Sequence, residues 1–236
     1  MTTLTGRDVT TEHLAAETDR VVESAASLRN DAVLAPSLCA GWSRGHVLAH
    51  IARNADALSR VAAIALSGEP GTMYVSQAER DAEIEAGARR PAADQATDIL
   101  ESGHRLAGLL ARLGPEHDAV TVERVPGGPR LEVGNLRFMR LRELVFHHVD
   151  LDSCFGFDRV APEVVDLFLR DAVDRLRAAD APPSLTLVTT EGDQLVVGDG
   201  ATAVRGTRAD VLLWAARGRT DRVTLDGPAP TLPFGG

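Results

Sequence analysis

The segment SRGHVLAHIARNADALSRVAAIALSG, residues 43–68, decides the fold of the first part of the chain. Ser43 is a favourable N-cap residue, and the apolar residues after it recur at helical spacing. Ser67-Gly68 predicts the end of the helix, because glycine readily adopts the left-handed conformation that ends helices. A long amphipathic helix is therefore predicted between these two boundaries.

Further helices are predicted on both sides of this segment. They cover residues 11–30, 76–88, 92–113 and 135–151. Before the last of them, AVTVERVPGGPRLEV (residues 119–133) alternates in polarity and contains the turn signal PGGP, which indicates a β-hairpin. Four long antiparallel helices with one decorated connection make a four-helix bundle, and the cores of such bundles are common places for metal ions.

The chain changes character after the loop DSCFGFDRVAP. The pattern then predicts a helix over residues 162–179, strands over LTLVTT, DQLVVG and TAVRG, a helix over residues 207–218 and a strand over RVTLDG. We therefore expect an α+β protein with a metal-binding helix-bundle domain over residues 1–155 and a small C-terminal α+β domain over residues 160–236.

Composition and charge exclude several classes of function. The net charge of −9 argues against a nucleic-acid or anionic-membrane partner, while small anionic ligands remain possible where arginines cluster. The two cysteines, Cys39 and Cys154, cannot build a disulfide framework or a four-sulfur zinc site. The N-terminus is polar, and no apolar stretch approaches the roughly 18 to 20 residues that span a bilayer. We expect a cytoplasmic monomer.

Two of the predicted helices carry residues suited to a metal site. Glu143 and His147 are four residues apart, so their side chains leave one helix face about one turn apart. His50 lies among apolar residues in the helix of the opening segment. Two nitrogens and one oxygen leave an open coordination position, as in catalytic zinc sites. The same spacing is also compatible with a Glu–His pair on a solvated helix face.

Other histidines, arginines and a cysteine are possible neighbours of this site. His46, one turn before His50, is a candidate ligand or supporting partner, whereas His148 points about 100° away from His147.

Arg53 lies near His50 in the sequence, and Arg140 precedes Glu143 by three residues, so either could meet an anionic substrate. Cys39 is expected to be a small buried thiol rather than a nucleophile.

Three segments carry a resemblance to a known family. They are GWSRGHVLAHIARNADAL (residues 41–58), TMYVSQAERDAEI (residues 72–84) and MRLRELVFHHVDL (residues 139–151). The sequence resembles the mycothiol-dependent maleylpyruvate isomerases, which belong to the DinB-like group of four-helix metalloproteins. The first and third segments mark the broader mycothiol-linked group, and the second is more specific to the isomerase branch.

The resemblance implies that His50, Glu143 and His147 bind Zn²⁺ or another divalent metal. It also implies a C-terminal domain similar to sterol-carrier proteins, and an active-site arginine in a WxxGR-like segment after the last helix. The corresponding segment here, WAARGR, is one residue longer. The arginine is therefore expected at Arg219, with Arg217 as the alternative.

The implied reaction is the conversion of maleylpyruvate to fumarylpyruvate in gentisate degradation, with mycothiol as the thiol cofactor. A thiolate adds to the activated alkene, the resulting single bond rotates, and the thiolate leaves. The implied partners are a small anionic substrate and a low-molecular-weight thiol. Arg219, with Arg53 or Arg80, would orient the substrate carboxylates, and Tyr74 would donate a hydrogen bond.

Two alternatives remain open on the sequence. One is a mycothiol S-transferase with the same metal and thiol but another electrophile, which the segment TMYVSQAER disfavours. The other is a non-catalytic metal-binding regulator, which an arginine-lined cavity around an open metal position would argue against.

Overall fold

The computed structural model describes residues 3–232. They divide into two compact units, one over residues 5–153 and one over residues 154–232 with residues 3–4. The predicted domains also include residues 1–2 and 233–236, which lie outside the described residues.

The larger unit is built from helices. They are α1 (Thr11–Ser27), α2 (Asn30–Val33), α3 (Arg44–Ser67), α4 (Gln77–Gly87), α5 (Ala92–Leu110) and α6 (Leu136–Asp150). Helices α5 and α6 each pack on both α1 and α3, which makes a four-helix bundle, and α4 packs on α3. The first predicted helix is too long, because the chain leaves helical geometry at Leu28 and Asn30 begins the separate turn α2.

Both predicted ends of α3 are present in the structure. The Ser43 side chain accepts a hydrogen bond from the backbone N–H of His46 at 3.3 Å, which satisfies one of the donors left free at the helix N-terminus. Gly68 ends the helix with a φ of 71°, and its N–H bonds to the carbonyl of Ile64.

The bundle core is apolar. Leu48, Ile51 and Leu58 from α3 pack with Ile99 from α5 and Leu144 from α6, and none of these side chains is exposed. Burying a side chain of this size contributes about 1.5–3 kcal/mol relative to leaving it in water. No helix within residues 3–232 has both the length and the apolar character needed to cross a membrane.

A β-hairpin connects α5 to α6, as the sequence predicts. Its strands are β1 (Thr121–Glu123) and β2 (Arg130–Glu132), which pair antiparallel. The segment before α4 lies beside β1, since the N–H groups of Met73 and Tyr74 bond to the carbonyls of Glu123 and Arg124, both at 2.9 Å. The hairpin is thereby fixed next to the segment that carries Tyr74.

The smaller unit contains two helices and a four-stranded sheet. Its elements are α7 (Pro162–Arg177), β3 (Leu185–Thr189), β4 (Gln194–Val197), β5 (Thr202–Gly206), α8 (Arg208–Arg217) and β6 (Thr224–Leu225). The strand order is β4-β3-β5-β6, with β3 and β5 parallel and the other pairs antiparallel. Phe168 on α7 and Trp214 on α8 are buried where these helices pack together. The structure confirms the predicted α+β class.

Candidate metal centre

The structure brings His50, Glu143 and His147 together. Nε2 of His50 lies 2.8 Å from Oε2 of Glu143, and Nε2 of His147 lies 3.3 Å from the same oxygen. The two imidazole rings are nearly perpendicular at 89°, with their centroids 4.6 Å apart. One donor atom from each residue lies within 4.8 Å of the other two, a spacing suited to one ion.

Helix packing explains this arrangement. His50 lies in the middle of α3, which packs against α6, and Glu143 and His147 are one turn apart on α6. The His50 side chain is 7% exposed, whereas that of Glu143 is 31% exposed. The cluster therefore lies on the wall of a cavity of about 540 Å³, and Glu143 faces the open space.

A buried carboxylate, that of Asp150, contacts the ring nitrogen of His147 that faces away from Glu143. Nδ1 of His147 bonds to Oδ2 of Asp150 at 2.9 Å, and the Asp150 side chain is completely buried. The thiol of Cys39 donates to the same oxygen at 3.2 Å. A histidine whose outer nitrogen bonds to a carboxylate presents its other nitrogen for coordination, as metal-ligating histidines generally do.

Burial and hydrogen bonds set the charges of the cluster. Burial raises the pKa of Glu143, but hydrogen bonds from His147 and His50 outweigh burial and hold that pKa well below its usual value. Burial lowers the pKa of His147, but hydrogen bonds to Asp150, Cys39 and Glu143 raise it well above its usual value. The ring of His147 thus lies between two carboxylates, an environment that favours positive charge, and a metal ion that binds Nε2 must displace the proton from that nitrogen.

His50 completes the donor set as a neutral ring. Burial is the main influence on its pKa and lowers it, against the opposing effect of Glu143. The neutral imidazole is the form that binds a metal. Two imidazoles, one carboxylate and a supporting carboxylate fit a divalent ion such as zinc.

Two of the predicted substrate-binding residues, Arg80 and Tyr74, line the same cavity. Arg80 donates to Nδ1 of His50 at 3.4 Å and pairs with the largely exposed Asp81 at 2.8 Å. Its buried Nε has no hydrogen-bond partner among the residues described. The Tyr74 ring is 4% exposed and lies 5.9 Å from the Arg80 guanidinium carbon.

The structure places the other two predicted substrate-binding arginines away from this cavity. Arg53 forms ion pairs with Asp98 at 2.6 Å and Asp56 at 3.1 Å, and it lines a separate cavity. Arg140 is 1% exposed and donates to the carbonyl of Ile51 and the side chain of Asn54. Both guanidinium groups hold helices together in the bundle.

Two histidines near the cluster have structural roles. Nε2 of His46 pairs with Glu85 at 2.8 Å, and its Nδ1 accepts from the backbone N–H of Ser43 at 3.2 Å. His148 is buried and bonds to Ser24 on α1 at 2.7 Å, and burial lowers its pKa to about 4. His148 thus joins α6 to α1.

The predicted active-site arginine lies in the smaller unit. Arg219 follows α8 and makes a two-point contact with Asp221 at 2.9 and 3.1 Å. Arg217, the alternative, is the last residue of α8 and donates to the carbonyl of Ala216 at 2.8 Å.

Sequence reasoning missed several residues that line the cavity or support the cluster: Trp42, Arg124, Arg130 and Asp150. Asp150 carried a usable signal, since it is three residues after His147 on a predicted helix. Arg124 and Arg130 flank a predicted hairpin turn, but nothing in the pattern says which part of the bundle a hairpin meets.

Comparison with known proteins identifies the family to which the chain belongs. Residues 14–152 match the family model described as "Mycothiol maleylpyruvate isomerase N-terminal domain". The chain belongs to this family. The matched residues include all three members of the donor cluster. The resemblance expected from the three sequence segments is therefore confirmed for the mycothiol maleylpyruvate isomerase family.

Solved structures extend the likeness in fold to nearly the whole chain. A crystal structure of the mycothiol-dependent maleylpyruvate isomerase is 24% identical, with a TM-score of 0.85 over 97% of this chain and 99% of that chain. A histidine-to-alanine mutant described under the same name is 23% identical, with a TM-score of 0.84 and the same coverage. No curated protein matches the chain. This member of the mycothiol maleylpyruvate isomerase family thus shares the fold of both structures.

Proposed function

We propose that the chain is a metal- and mycothiol-dependent cis–trans isomerase that converts maleylpyruvate to fumarylpyruvate in the cytoplasm. One observation carries the proposal: His50, Glu143 and His147 place three donor atoms within 4.8 Å of one another on the wall of a cavity that arginines also line. Membership of the mycothiol maleylpyruvate isomerase family supports mycothiol as the thiol and maleylpyruvate as the electrophile.

The proposed cofactors supply the sulfur and its activation. A divalent metal held by His50, Glu143 and His147 supplies, when bound, a Lewis acid that lowers the pKa of a thiol. Mycothiol, when bound, would supply a thiol able to add reversibly to the alkene. The chain's own residues must then bind the electrophile and keep the cluster in position.

Arg80 and Tyr74 are suited to bind the electrophile. Among the described residues Arg80 contacts one carboxylate, that of the exposed Asp81, and its side chain lines the cavity, so a substrate carboxylate can bind its guanidinium. Burial raises the pKa of Tyr74, which keeps the phenol protonated at neutral pH. A protonated phenol can donate a hydrogen bond to a substrate oxygen.

The remaining wall of the cavity is largely apolar. Trp42, Met73 and Met139 line it, and the Trp42 ring meets His50 edge-on at 5.4 Å between centroids. Apolar walls strengthen the electrostatic interactions inside a site because they exclude water. An arginine-bearing cavity of this kind argues against a non-catalytic regulator.

The test is turnover of maleylpyruvate by metal-loaded protein with and without mycothiol. We expect fumarylpyruvate to form only when mycothiol is present, with the thiol recovered unchanged. A stable thioether product would support the S-transferase instead. Absence of any reaction with a metal-loaded, folded protein would contradict the isomerase.

A further inference from the structure

The lining of the cavity beside the candidate metal centre carries more arginines than carboxylates. Arg80, Arg124 and Arg130 line it, although the chain as a whole has a net charge of −9. The single carboxylate of the lining is Glu143, which is already bonded to His50 and His147. The net positive charge of the lining therefore favours an anionic ligand.

The three arginines are not equivalent, because two of them have carboxylate partners. Arg80 pairs with Asp81, and Arg130 pairs with Glu123 at 3.5 Å. Arg124 has a single side-chain hydrogen bond among the described residues, from Nη1 to the neutral amide of Gln77 at 3.4 Å. No carboxylate oxygen of residues 3–232 lies within 4.0 Å of it.

The backbone of Arg124 is nevertheless held in place by two hydrogen bonds. Its carbonyl accepts the backbone N–H of Tyr74 at 2.9 Å, and its own N–H bonds to the carbonyl of Pro129 at 2.9 Å. Its guanidinium carbon lies 5.5 Å from the centroid of the Tyr74 ring. A guanidinium has five N–H donors, of which one contacts Gln77, so others remain for two-point binding of a carboxylate.

We propose that Arg124 binds a carboxylate of the electrophile and makes the cavity selective for anionic over uncharged electrophiles. The inference rests on the proposed function for the identity of the substrate, but the binding site itself does not. It also gives the hairpin a role, since the hairpin places this guanidinium beside Tyr74 in the cavity that holds the metal ligands.

The first test measures binding without catalysis. Maleate is titrated into metal-loaded protein by calorimetry, with no thiol present, for the wild type and for Arg124→Gln, Arg124→Lys and Arg112→Gln. Arg112 is exposed and does not line the cavity, so Arg112→Gln removes one positive charge without changing the cavity. We expect Arg124→Gln to weaken maleate binding by about tenfold or more, because hydrogen bonds to charged groups are the strong ones.

Arg124→Lys should bind maleate with an intermediate affinity, because lysine keeps the charge but not the two-point geometry. Arg112→Gln should match the wild type. Maleate affinities within twofold of the wild type in both Arg124 variants, at equal metal content and helicity, would overturn the proposal. If Arg124→Gln does not fold, the lysine variant decides: affinity equal to the wild type would overturn the proposal.

A second test separates charge recognition from a structural effect. Isomerisation of maleylpyruvate is compared with that of its uncharged diester in the wild type and Arg124→Gln. We expect a rise in KM for the acid and little change for the ester. Equal losses on both substrates would assign Arg124 a structural role. A protein that binds maleate through Arg124 yet isomerises neither substrate would contradict the proposed function but not this binding site.

Discussion

Nδ1 of His147 lies 2.9 Å from Oδ2 of Asp150, a carboxylate with no exposed surface. The two residues are three apart on α6, so one helix supplies both the candidate ligand and its support. When the ring is neutral, this contact places its proton on Nδ1, and Nε2 then faces Glu143 as an acceptor or ligand.

Removal of this support should weaken metal binding. We expect Asp150→Ala to lower the affinity for zinc by about tenfold to a hundredfold, as loss of such partners generally does. Asp150→Asn keeps an oxygen acceptor for Nδ1–H, so its affinity should lie between those of Asp150→Ala and the wild type. Competition with a chelator of known affinity measures both values, and circular dichroism checks the helices. Unchanged affinity in the alanine variant would mean that His147 needs no orienting partner.

The cysteines should be dispensable for turnover. The thiol of Cys39 donates a hydrogen bond to the Asp150 carboxylate at 3.2 Å, which gives it a structural role. Cys154 is exposed in the other unit. We expect Cys39→Ala and Cys154→Ala each to retain most of the wild-type kcat/KM with mycothiol. A loss of about a thousandfold in a folded variant would place the nucleophile on the protein.

Local rules in the sequence were enough to name His50, Glu143 and His147 as candidate ligands. Glu143 and His147 are related by helical spacing alone, and the Ser43 cap fixed where the helix of His50 begins. That the two helices meet at these residues depends on packing between distant parts of the chain. The family resemblance supplied that information, whereas the periodicity did not.

Two arginines show where local rules are insufficient. Arg140 precedes Glu143 by three residues, which turns it by about 60° around the helix. That rotation takes it from the cavity to the carbonyl of Ile51 in the bundle core. Arg124 lies in a hairpin, and its place in the cavity depends on backbone bonds to Tyr74 that no periodicity reveals.

The smaller unit should lose stability in acid through Asp193. Its carboxylate accepts two hydrogen bonds from Arg208 and one from Thr189, and the Arg208 bonds are the main reason that its pKa falls from 3.8 to about 2. The folded state therefore binds fewer protons than the unfolded state between these values. This stabilisation is complete above pH 4 and is lost as the pH falls through about 2.

Asp193→Asn tests this at matched pH values. At pH 7 we expect the variant to lower the free energy of unfolding by about 1–2 kcal/mol, since the ion pair is only partly exposed. The difference from the wild type should shrink to near zero at pH 2. Urea unfolding of both proteins at each pH measures it, and a difference independent of pH would contradict the assignment.

Arg219 should matter for turnover but not for metal binding. We expect Arg219→Ala to keep metal content and thermal stability while kcat/KM falls by about tenfold to a hundredfold, the usual loss for a charged contact to substrate. In the structure Arg219 contacts Asp221, whereas Arg217 lies within the last turn of α8. Arg217→Ala is the matched control. Near-normal kinetics in both variants would mean that the metal-binding unit forms the site without this arginine.

The metal content of histidine variants tests the central claim most directly. Protein purified without chelator should contain about one divalent ion per chain, bound by imidazole nitrogen and carboxylate oxygen at roughly 2.0–2.2 Å. His50→Ala and His147→Ala should each lose the ion and keep their helicity, because the core is apolar. The exposed His104→Ala is the control and should keep it. Full metal occupancy in both His50→Ala and His147→Ala would contradict the account.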